Sequence, residues 1–387
     1  MRKQYVNFIG IYIFSFFAIG ALFPLLGQYL ASLGFDGVQI GIICSSSTAI
    51  GIVASPLLGS FYEKRNSSKK VLYALYGLAL TLVLMLMFAK NFTPFLVIFI
   101  LAFFFEGPIR PLNDAMTLNS GHTFGKVRKW GSVGFALGVF IAGILSEKIG
   151  LTVIFPMYSA ALLATMVFIK SINLKTFDNY ASESKPIKSG NFKILLKNKK
   201  YMALIWSAFF IHGTMIAHNT YFGFLFIQVG GTFSGIGLAL LLMVGSEVPM
   251  MAWSEKLTKI ISMEKLILIT MFISSARFLW YSTAPSPELL TWTFFTQGIA
   301  NGILLVMFVK YLSKTVDKSM ISSAITLYAA ISSNASAILC LFFGGVILKN
   351  FSGASVYLFY GLFNLAGICI YMGSGLYKTT PSQTSQT

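Results

Sequence analysis

The sequence is poor in charged residues. Only 11% of its 387 residues are Asp, Glu, Lys or Arg, whereas a soluble globular chain has about 25%. Hydrophobic residues make up 56% of the chain. So few charges cannot cover a water-exposed surface, and the composition therefore excludes an ordinary soluble protein and indicates a chain that lies in a lipid bilayer.

Cysteine and catalytic motifs are also scarce. Cys44, Cys340 and Cys369 all lie within apolar runs, and no CxxC spacing occurs. This odd, scattered set excludes a disulfide framework and a thiolate metal site. The sequence has no HExxH, GxSxG, GxxxxGK[ST] or GxGxxG pattern, which argues against a metalloprotease, a hydrolase, an ATP-driven pump and a dinucleotide enzyme. We expect no enzyme activity, no cofactor and no metal.

Long apolar runs are abundant. A run of about 20 residues spans a bilayer core roughly 30 Å thick. Such runs form helices, because any other single-segment conformation would leave backbone hydrogen-bonding groups unpaired in lipid. The sequence predicts an all-α polytopic membrane protein with twelve transmembrane helices. These lie near 6–30, 39–61, 71–89, 94–116, 130–147, 151–169, 201–228, 234–254, 265–283, 289–309, 320–348 and 355–375.

A polar, basic segment divides the runs into six and six. Residues 170–200 form the predicted cytoplasmic linker between an N-terminal bundle (1–169) and a C-terminal bundle (201–377), which is followed by a cytoplasmic tail (378–387). Within the linker, "FKILLKNKKY" is either an amphipathic helix at the interface or a basic anchor. The similar stretches "GILSEKIG" and "GVILKNFSG" end the fifth and eleventh runs and suggest an internal repeat.

The Lys and Arg residues are distributed unevenly between the loops. Of the 29 Lys and Arg residues, 24 lie at the termini, in the even-numbered loops or at a helix mouth beside one. The exceptions are Lys90, Arg110, Lys148, Arg277 and Lys349. This positive-inside pattern predicts an inner (plasma) membrane protein with both termini in the cytoplasm. The formal charge of +17 is spread over many short segments rather than one basic face, so we expect no nucleic-acid partner.

Six ionisable residues lie within the runs or at their ends. Each costs roughly 2.5–3.5 kcal/mol at the middle of a membrane helix, so such residues pair with one another and mark functional pathways. They are Glu106, Arg110, Asp114, Arg128, Glu247 and Arg277. The equal number of acids and arginines permits complete pairing.

Three of these residues follow one another along the fourth run. Glu106, Arg110 and Asp114 have i, i+4, i+8 spacing, which aligns them on one helix face with the arginine within reach of either acid. Pro108 and Pro111 predict a kink in this helix. The stripe is either structural or part of a polar cavity.

Each half of the chain offers an acid and an arginine from adjacent helices. These are Asp114 with Arg128, and Glu247 with Arg277. A guanidinium suits carboxylates and vicinal hydroxyls, and a buried carboxylate accepts hydroxyl donors or exchanges a proton. The pattern predicts a polar lining for a small polar solute.

Two further polar residues are candidates for the same lining. His218 lies in "AHNTYFGF" of the seventh run, and Gln297 lies in the tenth. The histidine either faces a cavity or is a hydrogen-bonded packing residue. The sequence leaves both interpretations open.

Four stretches resemble the major facilitator superfamily, and within it the branch of lactose and phenylpropionate permeases. They are "GALFPLLGQYLASLG", "GSFYEKRNSSKKVL", "PLNDAMTLNSGHTFGKVRKWGSVGFALG" and "LLVMFVKYLSK". The third is the most specific, and the similarity covers nearly the whole chain. The resemblance implies two pseudo-symmetric six-helix bundles that act as a monomeric secondary transporter.

The resemblance also implies roles for particular residues. Asp114 falls where the branch has its substrate-binding acid, and Arg128 where it has the partner arginine. Phe135 lies where a tryptophan stacks on a sugar ring. Arg277 and Glu247 match an arginine and an acid near the proton site.

The sequence departs from this branch at several positions. Gln297 and Ala300 stand where a histidine and a glutamate serve proton coupling, while Glu106 and Arg110 occupy places that are small or apolar there. We therefore expect Asp114, Arg128 and Arg110 to hold the substrate. Proton coupling then falls to Glu247, Asp114 or Glu106. We expect Glu247 with Arg277 to carry the proton-linked switch.

The resulting hypothesis is proton-coupled uptake of a sugar, nucleoside or aromatic acid by alternating access. Export of a drug or metabolite is an alternative within the superfamily. A membrane sensor that does not transport is an alternative of another class, although the chain has no sizeable soluble domain.

Overall fold

The structure is a computed structural model that describes residues 2–64, 68–118, 120–172 and 190–378. Within these ranges the chain is helical, and no strand occurs. Among the described residues, ten helical spans are long and apolar enough to cross a membrane, and some of these spans combine two of the helices given below. The predicted all-α membrane fold is confirmed.

The helices of the N-terminal half are α1 (Arg2–Ser32), α2 (Gly37–Lys64), α3 (Ser68–Met85), α4 (Phe92–Glu106), α5 (Ile109–Leu118), α6 (Phe124–Ile149) and α7 (Ile154–Lys170). Those of the C-terminal half are α8 (Gly190–Lys197), α9 (Lys199–Gln228), α10 (Phe233–Leu257), α11 (Met263–Tyr281), α12 (Pro287–Thr315), α13 (Ile321–Tyr328), α14 (Ser336–Asn350) and α15 (Gly353–Gly373). The twelve predicted runs fall on these helices. The fourth run is divided into α4 and α5, and the eleventh into α13 and α14.

The predicted linker is described only at its two ends. Residues 173–189, which make up most of it, lie outside the described ranges, as do residues 379–387 of the predicted tail. The short helix α8 lies just before α9, with Leu195 buried and Ile194 and Leu196 about half exposed. The FKILL part of the linker is therefore helical.

The fourth run is interrupted where prolines remove backbone donors. The carbonyl of Gly107 lacks its usual donor four residues later, because that residue is Pro111. Ser55 of α2 supplies the missing bond, donating from its hydroxyl to the Gly107 oxygen at 3.1 Å. The helix is interrupted where the kink was predicted, and a serine of a neighbouring helix satisfies the carbonyl that is left free.

The eleventh run contains a π-helical segment, Ala329–Ala335, between α13 and α14. Ser332 in this segment donates to the carbonyl of Ile205 at 2.9 Å, and Ser336 donates to that of Phe209. Both acceptors lie on α9. The serine-rich face of this run thus forms hydrogen bonds to a neighbouring backbone, and π segments of this kind often occur at functional positions.

Small residues bring α6 against α1. A Cβ added at Gly134 or Gly138 would collide with the carbonyls of Ile13 and Phe17, and one at Gly131 would meet the ring of Phe16. Backbones approach this closely only where side chains are missing. The glycine row therefore fixes the distance between α1 and α6.

The two halves meet at the end of the structure that carries residues 33–36, 150, 229–232 and 351–352, called here the gate end. Here α14 lies on α2, and α10 lies on α6. A Cβ at Gly345 would collide with the backbone of Gly37 and Gly41, and one at Gly143 with the carbonyl of Phe233. Backbone contacts between halves close the gate end.

Polar contacts join the halves at the same end. Lys349 Nζ lies 2.9 Å from Asp36 Oδ2, and the Ser234 amide donates to Glu147 Oε2 at 2.9 Å. The Gln39 amide donates to the Asp36 carboxylate, and together with Lys349 it lowers the pKa of that carboxyl. Because the pKa is lower in the folded protein, this stabilisation is present at neutral pH and is lost as pH falls through the lowered value.

We predict that Gly345→Leu opens the gate end, because the new side chain meets backbone atoms that cannot move aside. Spin labels at Ser32 and Asn350, introduced in a Cys369→Ser background, report the separation by pulsed electron resonance. The label distance should increase in the variant. The control Gly77→Leu, where a Cβ has no atom within 4 Å, should leave it unchanged, and an unchanged distance in Gly345→Leu contradicts the prediction.

We predict a small loss of stability for Asp36→Asn. Both partners are partly exposed, so the ion pair contributes about 0.2–1 kcal/mol. The loss should be similar at neutral pH and near pH 5, since the carboxylate stays ionised at both. Thermal melts of Asp36→Asn, Lys349→Gln and the double variant measure it, and strictly additive effects would show that the pair contributes nothing.

Candidate functional site

Asp114 on α5 connects three helices of the N-terminal half. The hydroxyl of Tyr12 on α1 donates to Asp114 Oδ1 at 2.5 Å. Arg128 Nη1 on α6 lies 3.4 Å from the same oxygen. The side chains of Arg128 and Asp114 are 46% and 33% exposed, so the pair is open to a solute. The structure brings together the two residues that the sequence predicted as partners.

Aromatic rings surround this arginine. The Arg128 guanidinium lies 5.6 Å from the ring centre of Phe16 and 5.8 Å from that of Phe124. Phe135, two turns further along α6, is partly buried. A carboxylate, a phenol and a guanidinium beside apolar rings can hydrogen-bond the hydroxyls of a solute and cover its apolar face.

Arg110 pairs with Glu106 rather than with Asp114. Arg110 Nε lies 3.8 Å from Glu106 Oε1; the arginine side chain is 52% exposed, whereas the glutamate is buried. The stripe predicted along the fourth run is therefore divided between two ion pairs. Its acids have separate partners, Arg110 for Glu106 and Arg128 for Asp114.

Hydroxyl and amide groups form a buried network in the same bundle. The amide of Asn113 donates to the hydroxyl of Tyr76 at 2.8 Å, and that hydroxyl lies 3.2 Å from Ser15 Oγ. The Tyr158 hydroxyl and Asn113 Oδ1 are buried and have no hydrogen-bond partner among the described residues. The interior behind α5 is therefore polar and incompletely paired.

The C-terminal half contains a second polar cluster, centred on Arg277 of α11. Its Nη1 donates to Gln297 Oε1 at 2.5 Å and to the Tyr281 hydroxyl at 3.2 Å. The guanidinium also lies over the rings of Phe278 and Tyr281, 4.6 and 5.1 Å from their centres. Tyr281 in turn contacts Thr293 Oγ1 at 2.9 Å.

His218 of α9 lies in this cluster. Its Nδ1 is 2.6 Å from the hydroxyl of Tyr357, and its ring packs 5.1 Å from that of Phe294. His218 and Gln297 are both fully buried. The structure thus places these two predicted substrate-binding residues inside the C-terminal bundle, whereas Asp114 and Arg128 are open.

The arginine of this cluster has no acid partner in the part of the chain that the structure describes. Arg277 is only 7% exposed, and its Nε has no hydrogen-bond partner there. Aromatic faces and neutral acceptors replace the carboxylate that a buried cation normally requires.

Glu247 lies near a different residue of α12. Its carboxylate neighbours Asn301, one helical turn from the Gln297 that contacts Arg277. Gly298 and Gly302 bring the α12 backbone directly against the backbone at Glu247. The predicted acid and arginine therefore contact the same helix one turn apart, and they form no ion pair within the described ranges.

Sequence reasoning missed the tyrosines of both clusters. Tyr12 and Tyr281 supply hydroxyls to Asp114 and Arg277, and Tyr357 supplies one to His218. Two of them carried a local signal: Tyr281 is four residues after Arg277, and Tyr12 is four before the Phe16 that covers Arg128. Both spacings place residues on one helix face.

Comparison with solved structures shows the fold. A crystal structure of a mutant of the nucleoside transporter NupG superposes with a TM-score of 0.86 at 15% sequence identity. The match covers 97% of this chain and 100% of the other. At this identity the likeness shows the fold alone.

Comparison of sequences gives more similar relatives. The maltose permease of Geobacillus stearothermophilus is 31% identical over 366 residues, which cover 93% of this chain and 92% of the permease. The probable 3-phenylpropionic acid transporter of Escherichia coli K12 is 25% identical over 273 residues, covering 67% and 69% of the two chains. Both are transporters rather than enzymes.

The profile of the MFS_1 like family matches residues 5–359, nearly the whole chain. This match agrees with the helical fold, the charged residues on the membrane helices and the relatives. The chain therefore belongs to the MFS_1 like family and is a multi-span membrane transporter of the major facilitator superfamily.

Proposed function

We propose that this protein is a proton-coupled importer of a small hydroxylated solute, with a glucose disaccharide of the maltose type as its substrate. The observation that carries the proposal is the open Asp114–Arg128 pair with the Tyr12 hydroxyl and the Phe16 ring beside it. These groups offer a hydroxyl acceptor, a planar donor and an apolar surface, which are the contacts a sugar ring requires. The 31% identity to a maltose permease supports the same substrate class.

We propose that the solute reaches this pair from the end opposite the gate, called here the basic end, and that the basic end faces the cytoplasm. The helices α6 and α10 touch at Gly143 and Gly237 near the gate, and further along they are separated by a cavity of about 390 Å³. Arg128 lies on α6 beyond that separation. The positive-inside rule supports the cytoplasmic placement.

The two rigid bodies of the transport cycle are proposed to be residues 1–169 and 201–377. The contacts between halves at the gate end involve backbone at glycines and a few polar pairs, which can separate without unfolding either bundle. Rocking of the two halves would then expose the substrate pair to each side in turn.

Proton coupling is assigned to buried acids. Glu106 is 6% exposed, and Glu247 lies beside Asn301, whose amide N–H can donate a hydrogen bond to the ionised carboxylate. Neither Gln297 nor Ala300 titrates. Arg277 is proposed to respond to the coupling acids through α12, because Gln297 and Asn301 lie one turn apart on that helix.

We predict that Asp114→Ala and Arg128→Ala each weaken substrate binding about 10- to 100-fold, since a hydrogen bond to a charged group contributes about 1.5–3 kcal/mol. Uptake of radiolabelled maltose into vesicles and thermal shift of the purified protein with maltose measure the effect. The control removes the charges of the Glu255–Lys310 pair, which lies away from the site, with Glu255→Gln and Lys310→Gln.

Maltose binding by both alanine variants at the affinity of the wild type would contradict the substrate site. If the wild type binds nucleosides or aromatic acids and not maltose, the site stands and the proposed substrate class is wrong. Transport only out of right-side-out vesicles would replace import by export.

We predict that Glu247→Gln abolishes accumulation driven by an imposed pH gradient while substrate exchange at equal concentrations continues. An amide of the same shape keeps the contact with Asn301 but cannot carry a proton. Glu106→Gln tests the second candidate acid in the same assay. Glu264→Gln, which changes a buried acid of α11, is the control and should accumulate substrate normally; normal accumulation by the other two variants excludes these acids as proton carriers.

A further inference from the structure

An apolar groove lies between α6 and α10. It is nearer to the basic end than the gate contacts are. The cavity has a volume of about 390 Å³, and its lining residues are apolar or glycine throughout. They include Val133, Ala136 and Leu137 of α6 and Leu241, Val244 and Gly245 of α10. The groove begins one turn beyond the close contact between Phe140 and Gly237, so it continues the line along which the halves meet.

The groove opens to its surroundings. Val133 and Leu137 are 40% and 41% exposed, and a Cβ added at Gly245 would have no atom within 4 Å. In a membrane-spanning segment the surroundings of such a surface are hydrocarbon rather than water. No lining side chain offers a hydrogen bond, so a sugar in the groove would lose its bonds to water without compensation.

The basic end of the groove is positively charged. Lys129 lies one turn before Val133 on α6, and Lys256 lies three turns after Gly245 on α10; both are exposed. Their spacings place them on the same helix faces as the groove. The neighbouring acid Glu255 pairs with Lys310 at 3.1 Å. The two lysines are thus available for an anion at the end of an apolar channel.

A tryptophan lies near each of these lysines in the sequence. Trp130 follows Lys129, whose Nζ lies 5.9 Å from its ring centre, and the 57% exposed Trp253 precedes Lys256 by three residues. Tryptophans of membrane proteins are enriched at the level of the lipid headgroups. From Gly245 to Lys256 the helix rises about 16 Å, close to half of a hydrocarbon core roughly 30 Å thick.

We propose that the α6–α10 groove binds an acyl chain of an anionic phospholipid, whose phosphate lies at the level of Lys256, with Lys129 of α6 nearer to the groove. The apolar lining matches the chain, the rise from Gly245 to Lys256 is close to the depth of one leaflet, and the charge matches the headgroup. The lipid is held between the two halves of the transporter, at the end where they are apart. This site is separate from the substrate pair and does not depend on the identity of the solute.

The first test fills the groove. Native mass spectrometry of the purified full-length protein counts bound phosphatidylglycerol and phosphatidylcholine with the same acyl chains. Wild type should retain phosphatidylglycerol at roughly tenfold lower lipid concentration than phosphatidylcholine, and Gly245→Leu should lose this retention at least about tenfold. Gly77→Leu, which adds the same side chain to open space on α3, is the matched control and should bind like wild type.

The second test removes the headgroup charges and leaves the interior unchanged. The double variant Lys129→Gln and Lys256→Gln should bind phosphatidylglycerol no better than phosphatidylcholine. Lys265→Gln with Lys314→Gln, exposed lysines on α11 and α12, removes the same charge elsewhere and should keep the preference. Because all four lysines are exposed, this test remains valid even if Gly245→Leu folds poorly.

Three results would overturn the proposal. Equal binding of the two lipids by wild type shows that the lysines select no headgroup. Equal loss in Gly245→Leu and Gly77→Leu, or no loss in folded Gly245→Leu, shows that bound lipid lies elsewhere on the surface. A dimer that disappears in Gly245→Leu, with lipid binding unchanged, identifies the groove as a contact between copies of the chain.

Discussion

Hydrocarbon offers no partner to an unpaired backbone group, and this constraint governs where the chain can depart from a regular helix. The break after Glu106 is possible because Ser55 donates to the carbonyl that Pro111 leaves without a donor. The π segment of the eleventh run is joined to α9 by Ser332. Each irregularity thus depends on a hydrogen bond between a hydroxyl of one helix and a backbone carbonyl of another. The break on the fourth run also places Arg110 at the start of a new helix.

The membrane helices were predictable because hydropathy is a local property of the sequence. The proximity of Asp114 and Arg128 was also predictable, since an acid and an arginine on adjacent membrane helices tend to pair. Direct pairing of Glu247 with Arg277 does not occur within the described ranges, because it depends on the rotation of α10 and α11 about their axes. The close contact of Gly298 with the backbone at Glu247 sets the rotation of α10. This contact joins two different helices, so it cannot be predicted from the sequence of either run alone.

The two polar clusters differ in what their charges can do. Asp114 and Arg128 balance each other and are partly exposed, so a solute can replace one partner with little loss of charge compensation. Arg277 is buried among tyrosines and amides, and exchanging its partners requires movement of the helices around it. The first arrangement suits recognition of a solute, and the second suits a response to helix movement.

Opposite faces of α6 carry the residues of the two proposed sites, the substrate pair and the lipid groove. Arg128 and Phe135 are seven residues apart and share one face. Val133 and Leu137, five and nine residues after Arg128, point to the opposite side and line the groove. Gly134 and Gly138 fix the helix against α1 between them. A polar solute and a lipid chain can therefore bind the same helix without meeting, and any tilt of α6 that closes one space must change the other.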